Sequence, residues 1–510
     1  ETETGEDVQY YQLRRRVIED NQRRLNEDYT NNSGFYAGVN YENTFGKHAF
    51  SAGVNHIYYI NDDDDVAQDL RFTNTVLNIK YGFANKLYAE ATMAYMGSDK
   101  LSSSNRYQLF PAVGLGWVLS EENFMKDIEA IDFLKLKGSF GIMGYDNSMP
   151  YYLYVNRWNT NGNVQFNERN NTTISRTILE QTGNPDIGWE KSREYNIGLE
   201  GLMFDNRLQF EVNYFNEYRY DIIQSPSDRY SVTAGGLYPL ENYGETLNRG
   251  FEAGVNWSDV IGDLNYNIGG LVLFSKNKIV KTNEVDYPAN QEFIKQTGLP
   301  SDSMLGFVAE GLFTSQEQVD NHAIQRFGEY GVGNIAYKDL NGDGYIDNLD
   351  RARIGNSFPR TTLGVNINLD YKRFALFVLG TAEVGVDNFL NNGYYWNYGE
   401  RKYSVQALDR YHPKNNPQGT YPALTTTNGN NDFRNSTYWL QDASFFRLKN
   451  VELSYTLPAK SVAKSYKFHV RGTNLFVISK NKDLDPEVNN AGIANYPVFR
   501  TVTGGVTVNF

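Results

Sequence analysis

One stretch of the chain has the residue types and the spacing of an ion-binding loop. Asp339, Asn341, Asp343, Tyr345, Asp347 and Asp350 occupy positions 1, 3, 5, 7, 9 and 12 of a segment whose position 6 is Gly344. That is the pattern of a calcium loop, with Asp in place of the usual Glu at the last ligand position. Alternate carboxylate and amide oxygens can converge on a hard cation because the glycine allows a tight turn, and Tyr345 contributes its backbone carbonyl. The spacing predicts a structural Ca2+ that stiffens a long connection, against the plainer alternative of a metal-free Asp/Asn/Gly loop tip. A second acidic run, Asp62 to Asp65, lacks both the alternate spacing and the turn glycine, and reads as a solvated loop. His48, His56, His322, His412 and His469 show no metal-type spacing, so neither zinc nor a catalytic base is assigned. No nucleophile elbow and no phosphate-binding loop occurs, and Gly331-Val-Gly333 leads into no helical pattern, so nothing points to an enzyme. Tyr394, Tyr395 and Trp396, with Tyr398 close by, offer flat rings that could stack on sugars or grip a peptide; packing of their own loop is the equal alternative.

These residues sit in connections, and strands must hold them. Over 501–510, Val502, Gly504, Val506, Val508 and Phe510 alternate with Thr501, Thr503, Gly505, Thr507 and Asn509, a period of two with one apolar and one polar face. The same alternation puts Leu363, Val365, Ile367 and Leu369 opposite Asn366 and Asn368. It sorts Phe251, Ala253, Val255 and Trp257 from Glu252 and Asn256, Phe210, Val212 and Tyr214 from Glu211 and Asn213, and Tyr195 and Ile197 from Glu194 and Asn196. Such faces suit a wall between lipid and a wet lumen, with the named aliphatic residues toward lipid and the asparagines toward the lumen.

Composition agrees. The longest apolar runs, such as 374–379, fall far short of the roughly 18 residues a membrane helix requires. With 38 Tyr, 30 Phe and 6 Trp the chain is rich enough in aromatics to furnish girdles at both membrane interfaces. No cysteine is present, which excludes disulfides and thiolate metal sites. A net charge of −13 argues against nucleic acid as a partner, and the short basic cluster of Arg14, Arg15, Arg16, Arg23 and Arg24 is interleaved with acids. The first residues have neither a basic start nor an apolar core, so the expectation is a chain numbered from inside a longer precursor.

Strands are predicted near 34–43, 47–59, 70–82, 86–96, 107–119, 132–143, 190–203, 207–221, 246–258, 263–274, 361–371, 373–383, 445–457, 466–477 and 500–510, with residues 7–17 as a possible sixteenth. Short turns alternate with long connections at 144–189, 222–245, 275–360, 384–444 and 478–499. Tight turns on one side and extended loops on the other are the habit of an outer-membrane barrel. The fold class read from this is all-β, a transmembrane antiparallel up-and-down β-barrel of about 15–16 visible strands.

Collinear stretches resemble one family. Phe45-Gly-Lys-His48, Arg106 to Trp117 with Phe110-Pro111, Leu119 to Phe124, Leu134 to Gly141, Gly183-Asn-Pro185 with Trp189-Glu190, Asp339 to Gly344, Phe445 to Val451 and Arg471 to Leu475 are similar to the SusC/RagA-like TonB-dependent transporters of Bacteroidetes outer membranes. The resemblance runs from about residue 30 onward. It implies import of glycan oligomers or peptides through the outer membrane of a Gram-negative cell, with a SusD-like surface lipoprotein over the external loops and TonB as the energy source. It further implies a barrel of about 22 strands, of which residues 1–510 form the C-terminal part, with the plug, the N-terminal extension and the TonB-contacting segment elsewhere. A passive porin and a surface barrel with an adhesive or structural role are the competing readings. Pairing separates them: strand 500–510 is expected to pair with 466–477 and not with any strand within 7–43.

Overall fold

The computed structural model describes residues 30–63, 70–147, 149–166, 172–231, 233, 238–459, 462–488 and 498–510. The proposed strand at 7–17, the arginine cluster, Asp64 and Asp65 lie outside them, while Asp62 and Asp63 close a strand. Fifteen strands form one antiparallel sheet in chain order. They are β1 (Thr30–Phe45), β2 (His48–Asp63), β3 (Leu70–Phe83), β4 (Leu87–Ser98), β5 (Tyr107–Val118), β6 (Ile131–Tyr145), β7 (Glu190–Met203) and β8 (Leu208–Gln224). After them come β9 (Glu241–Ile261), β10 (Leu264–Lys281), β11 (Thr361–Tyr371), β12 (Phe374–Val384), β13 (Phe445–Pro458), β14 (Ser465–Ser479) and β15 (Thr501–Asn509). The fifteen strands predicted between 34 and 510 are all present. At the tight ends, Ala84 and Asn85 (φ 54° and 56°) and Lys372 (φ 56°) take the left-handed conformation that two-residue hairpin turns demand.

Cross-strand partners share a face, so the register sorts the wall. Lys80 is registered with Glu90 and Glu90 with Gly114 on the inner side, while Ile79, Ala91 and Val113 form the adjacent outer row. Asn366 and Asn368 donate to Asn267 at 3.4 and 3.2 Å on the inner side, and Leu363 and Val365 stand exposed on the outer side. His469, registered with Ser454 and Gly505, is on the inner face. The sorting is not universal beyond the strands named from sequence. Leu271, registered with Gly254 and Gly364, and Leu379, registered with Asn366, point inward, and His56 faces outward, its Nδ1 2.8 Å from the Thr75 hydroxyl.

β15 pairs with β14, β1 pairs with β2, and no pairing joins β15 to β1 among the described residues. Among the described residues, the pairing that would close these strands on themselves, as a passive porin requires, is not formed.

The connection 144–189 is more than the unstructured link the sequence predicts. It contains a hairpin, Arg157–Phe166 with Thr172–Gln181, whose strands pair only with each other. Its base is held by a small core of Leu101, Phe110, Met149, Leu153, Ile187 and Trp189. The Phe110 ring lies so close over Gly144 that any Cβ there would fall within 2.0 Å of it.

Candidate functional site

The inner face of β1–β9 borders a cavity of ≈ 870 Å3, lined among others by Glu42, Lys80, Glu90, Lys137, Asn196 and Glu252. Lys135 and Lys137 donate to Glu200 at 3.1 and 2.9 Å, and Lys137 also reaches Glu211. These side chains keep about a third of their exposure, so each pair contributes at most about 1 kcal/mol. Their effect is to make the wall wettable. Charges at alternate positions are the sequence signal for this face: Glu194, Glu211 and Glu252 fall on it by the alternation above, and Leu134-Lys135-Leu136-Lys137 carries the same signal.

Above the wall, the connections 282–360 and 385–444 fold into one assembly. Phe307, Phe327, Ile335, Tyr337 and Ile346 from the first close around Tyr395, Tyr421 and Trp439 from the second. A polar spine runs through this core. Gln325 donates to the Ile335 carbonyl (3.0 Å) and to Asn431 Oδ1 (2.6 Å), and Tyr337 donates its hydroxyl to the Asn431 carbonyl at 2.8 Å. The Asp432 carboxylate accepts the Ile335 N–H at 2.8 Å and the Asn334 side-chain amide.

Burial pushes the Asp432 carboxyl up to about 6, because the hydrogen bonds it accepts offset only part of the desolvation. An acid whose pKa is raised on folding favours the folded state in its neutral form. The assembly is therefore firmest at low pH and loses stability as pH rises from the ordinary value of 3.8 through about 6, then stays level. The loss amounts to about 3 kcal/mol. Amide exchange of residues 324–346 and 431–439 followed from pH 4 to 7 is expected to show it. Asp432→Asn should flatten the slope, at a constant cost of about 1–3 kcal/mol because its NH2 then faces the Asn334 donor.

The predicted calcium residues do lie together in one turn of this assembly, but their oxygens are engaged by backbone. Asp339 accepts the N–H groups of Gly342 (2.7 Å) and Gly344 (2.9 Å), Asn341 that of Asp343 (2.9 Å), and Asp343 that of Tyr345 (2.8 Å). Asp347 is 3.3 Å from Arg326, and the buried Asp350 accepts from Leu340 and Asp347, both at 2.9 Å. Among the described residues no three acidic or histidine side chains gather at one point. The aromatic triplet is drawn into the core: Tyr395 is 4% exposed, and Tyr394 and Trp396 pack against the same cluster. Tyr395 therefore presents no open stacking face; for this residue the packing alternative describes its surroundings.

A third contact binds the last long connection to the wall. Arg447 of β13, 3% exposed and facing inward, pairs with Asp485 and lies 3.3 Å from Glu487, which also meets Lys449. Asp483 of the same segment accepts from Gln406 at 3.0 Å, tying it to the loop assembly as well.

Compared with known proteins, residues 2–475 match the family described as TonB dependent receptor-like, beta-barrel. The chain belongs to this family. TonB-dependent receptor P26 of Formosa agariphila is 29% identical over 469 residues, covering 85% of this chain and 45% of that protein. TonB-dependent receptor SusC of Bacteroides thetaiotaomicron is 26% identical over 452 residues, covering 85% and 43%. The RagAB peptide importer in its open-open state superimposes with a TM-score of 0.77 at 20% identity, over 95% of this chain and 55% of that one, which establishes the likeness of fold. The chain spans about half the length of the curated relatives it matches. As a TonB-dependent receptor β-barrel it is an outer-membrane protein of a Gram-negative bacterium, and the SusC/RagA-like resemblance read from its motifs is met by these relatives.

The motif residues have physical reasons. Trp189 donates to the Arg106 carbonyl at 3.2 Å and packs on Phe110 at 5.4 Å. A Cβ on Gly183 would strike the Val155 backbone at 2.3 Å.

Proposed function

We propose that this chain is the wall of an importer that carries a bulky polar solute, a glycan oligomer or a peptide, through the outer membrane with energy relayed by TonB. The observation that carries the reading is the wall itself: fifteen strands with an aliphatic and aromatic outside and a charged, amide-rich inside bordering a cavity of ≈ 870 Å3. Membership of the TonB-dependent family supports the energy coupling. Likeness to SusC and to the RagAB peptide importer supports a SusD-like lipoprotein seated over the external loop assembly. In this proposal the plug, the TonB-contacting segment and the strands that pair with β1 and β15 lie outside residues 1–510. An unpaired N–H or C=O in hydrocarbon costs several kcal/mol, so neither edge can stay open in a membrane.

Uptake of labelled oligosaccharides and peptides by cells with and without the gene tests this. Uptake is expected to be lost on deletion and on adding a proton uncoupler; uptake that survives the uncoupler would favour a passive porin. Unchanged uptake combined with lost surface attachment would favour an adhesive barrel. In planar bilayers, the 510-residue chain alone is expected to give no stable unitary conductance, and a steady one would overturn the assignment of pairing strands outside it.

Calcium at the 339–350 loop remains a proposal supported by ligand type and spacing alone, and its role would be to hold the loop assembly rigid. Calorimetric titration of calcium into chelator-treated protein is expected to give a saturable heat that Asp339→Ala with Asp343→Ala removes. Absence of heat in the parent protein would leave the loop as the hydrogen-bonded turn described above.

A further inference from the structure

The outer wall carries a group of cations that face the membrane. Arg249 of β9 is registered with Lys276 of β10, and Leu247 with Lys278. At the same level the inner face holds Asn248 and Ser275, joined by a hydrogen bond of 2.8 Å, so Arg249, Lys276 and Lys278 point outward. All three are exposed, as is Arg193 of β7, which belongs to the row Arg193, Tyr218, Leu247, Lys278 and lies 5.1 Å from the Tyr218 ring. Among the described residues none of the four forms an ion pair, whereas Lys191 and Lys281 nearby are paired with Asp221 and Glu245.

Depth decides what can lie against them. Two residues toward the bilayer from Arg249 and Lys276 stand Phe251 and Phe274, with ring centroids 5.5 Å apart, in register with Tyr214. This aromatic row marks the membrane interface. The cations lie about 7–13 Å beyond it at the strand rise, toward the long connections 225–240 and 282–360, on the external side. On β4 and β5 the outer face near this end carries the uncharged stacked pair Tyr95 and Tyr107. Like charges directly opposite on a sheet repel, and Arg249 faces Lys276 with no acid between them. An anion at headgroup depth removes that repulsion, and the anions available at that depth in an outer leaflet are lipid phosphates.

We propose that Arg193, Arg249, Lys276 and Lys278 form a docking site on the outer wall for the phosphate groups of a phosphorylated glycolipid of the outer leaflet. The site stands apart from the lumen and does not depend on which solute is imported. The lysine stems lie along the apolar wall while their ammonium groups reach the phosphate, and arginine adds a two-pronged contact.

The test uses the full-length protein in nanodiscs of phosphatidylethanolamine containing labelled diphosphorylated lipid A, at low ionic strength. The parent protein is expected to retain lipid A, and the triple variant Arg249→Gln, Lys276→Gln, Lys278→Gln to bind it on the order of a hundredfold more weakly, about fivefold per cation. A charge-preserving variant, Arg249→Lys with Lys276→Arg and Lys278→Arg, should keep the affinity, which separates loss of charge from loss of folding. Dephosphorylated lipid A should bind parent and triple variant alike, and inorganic phosphate should not displace the lipid. Equal binding of lipid A by parent and triple variant, preference for the dephosphorylated lipid, or ready displacement by inorganic phosphate would each overturn the proposal.

Discussion

Trp439→Ala is expected to open the external loop assembly and leave the wall intact. The indole is 4% exposed, packs on rings of its own connection with centroids 5.7 Å from Tyr421, 5.9 Å from Phe433 and 6.5 Å from Trp396, and belongs to the core that also holds Phe307, Phe327 and Tyr337 of the other connection. Its N–H also satisfies the Asp432 carbonyl at 2.7 Å. Truncating a buried tryptophan costs about 3–5 kcal/mol, and the stranded carbonyl adds about 1 kcal/mol. The strands β10 to β13 hold themselves by their own ladders, so the loss stays local. Hydrogen exchange over 324–346 and 388–439 should accelerate by two to three orders of magnitude, with wall amides unchanged. Acceleration in β11 or β12, or none anywhere, would refute the picture of a loop unit with its own core.

Arg447→Met is the second large effect expected, because it leaves the largely buried Asp485 carboxylate without its cation. Asp485 and Glu487 retain 16% and 21% side-chain exposure, and of the two Glu487 alone keeps a second cation, Lys449. Breaking such a pair from one side costs about 3–5 kcal/mol, whereas neutralising both sides recovers most of it. Segment 480–488 should come away from the wall, and trypsin should then cut after Lys480 and Lys482 much faster than in the parent. Adding Asp485→Asn and Glu487→Gln to Arg447→Met should restore resistance. If the single variant is cut no faster, Arg447 does not hold the segment.

The strands were legible because lipid on one side and water on the other impose a strict period of two, as in Leu363 to Leu369 against Asn366 and Asn368. Their ends were read short. β9 begins at Glu241 and β10 runs to Lys281, where the sheet continues past the bilayer and the pattern is no longer enforced by lipid. Leu271 and Leu379 broke the pattern inward because a patch of apolar surface on a wide lumen costs little.

The loop core was not legible at all. Ile335, Tyr337 and Trp439 come from segments about a hundred residues apart with no shared period, and an aromatic triplet such as Tyr394 to Trp396 looks the same in sequence whether it packs or binds. The calcium spacing was legible as spacing, yet the same Asp and Asn side chains also satisfy nearby backbone N–H groups, a use that composition cannot separate from ligation. The hairpin at Arg157–Phe166 was missed because its first strand is largely polar, with no apolar face to read.

The link between Asp432 and Ile335, 97 residues apart along the chain, sets an order of events during folding. Each wall strand pairs with the next wall strand along the chain, and β1–β2, β3–β4, β7–β8, β9–β10, β11–β12 and β13–β14 can each form as a hairpin with a short closure. The loop unit cannot nucleate until β11 and β12 have brought its two halves to the same rim, since closing so long a segment unaided carries a larger entropic cost. A kinetic experiment should therefore see near-native wall ladders before the tryptophan environment at position 439 matures.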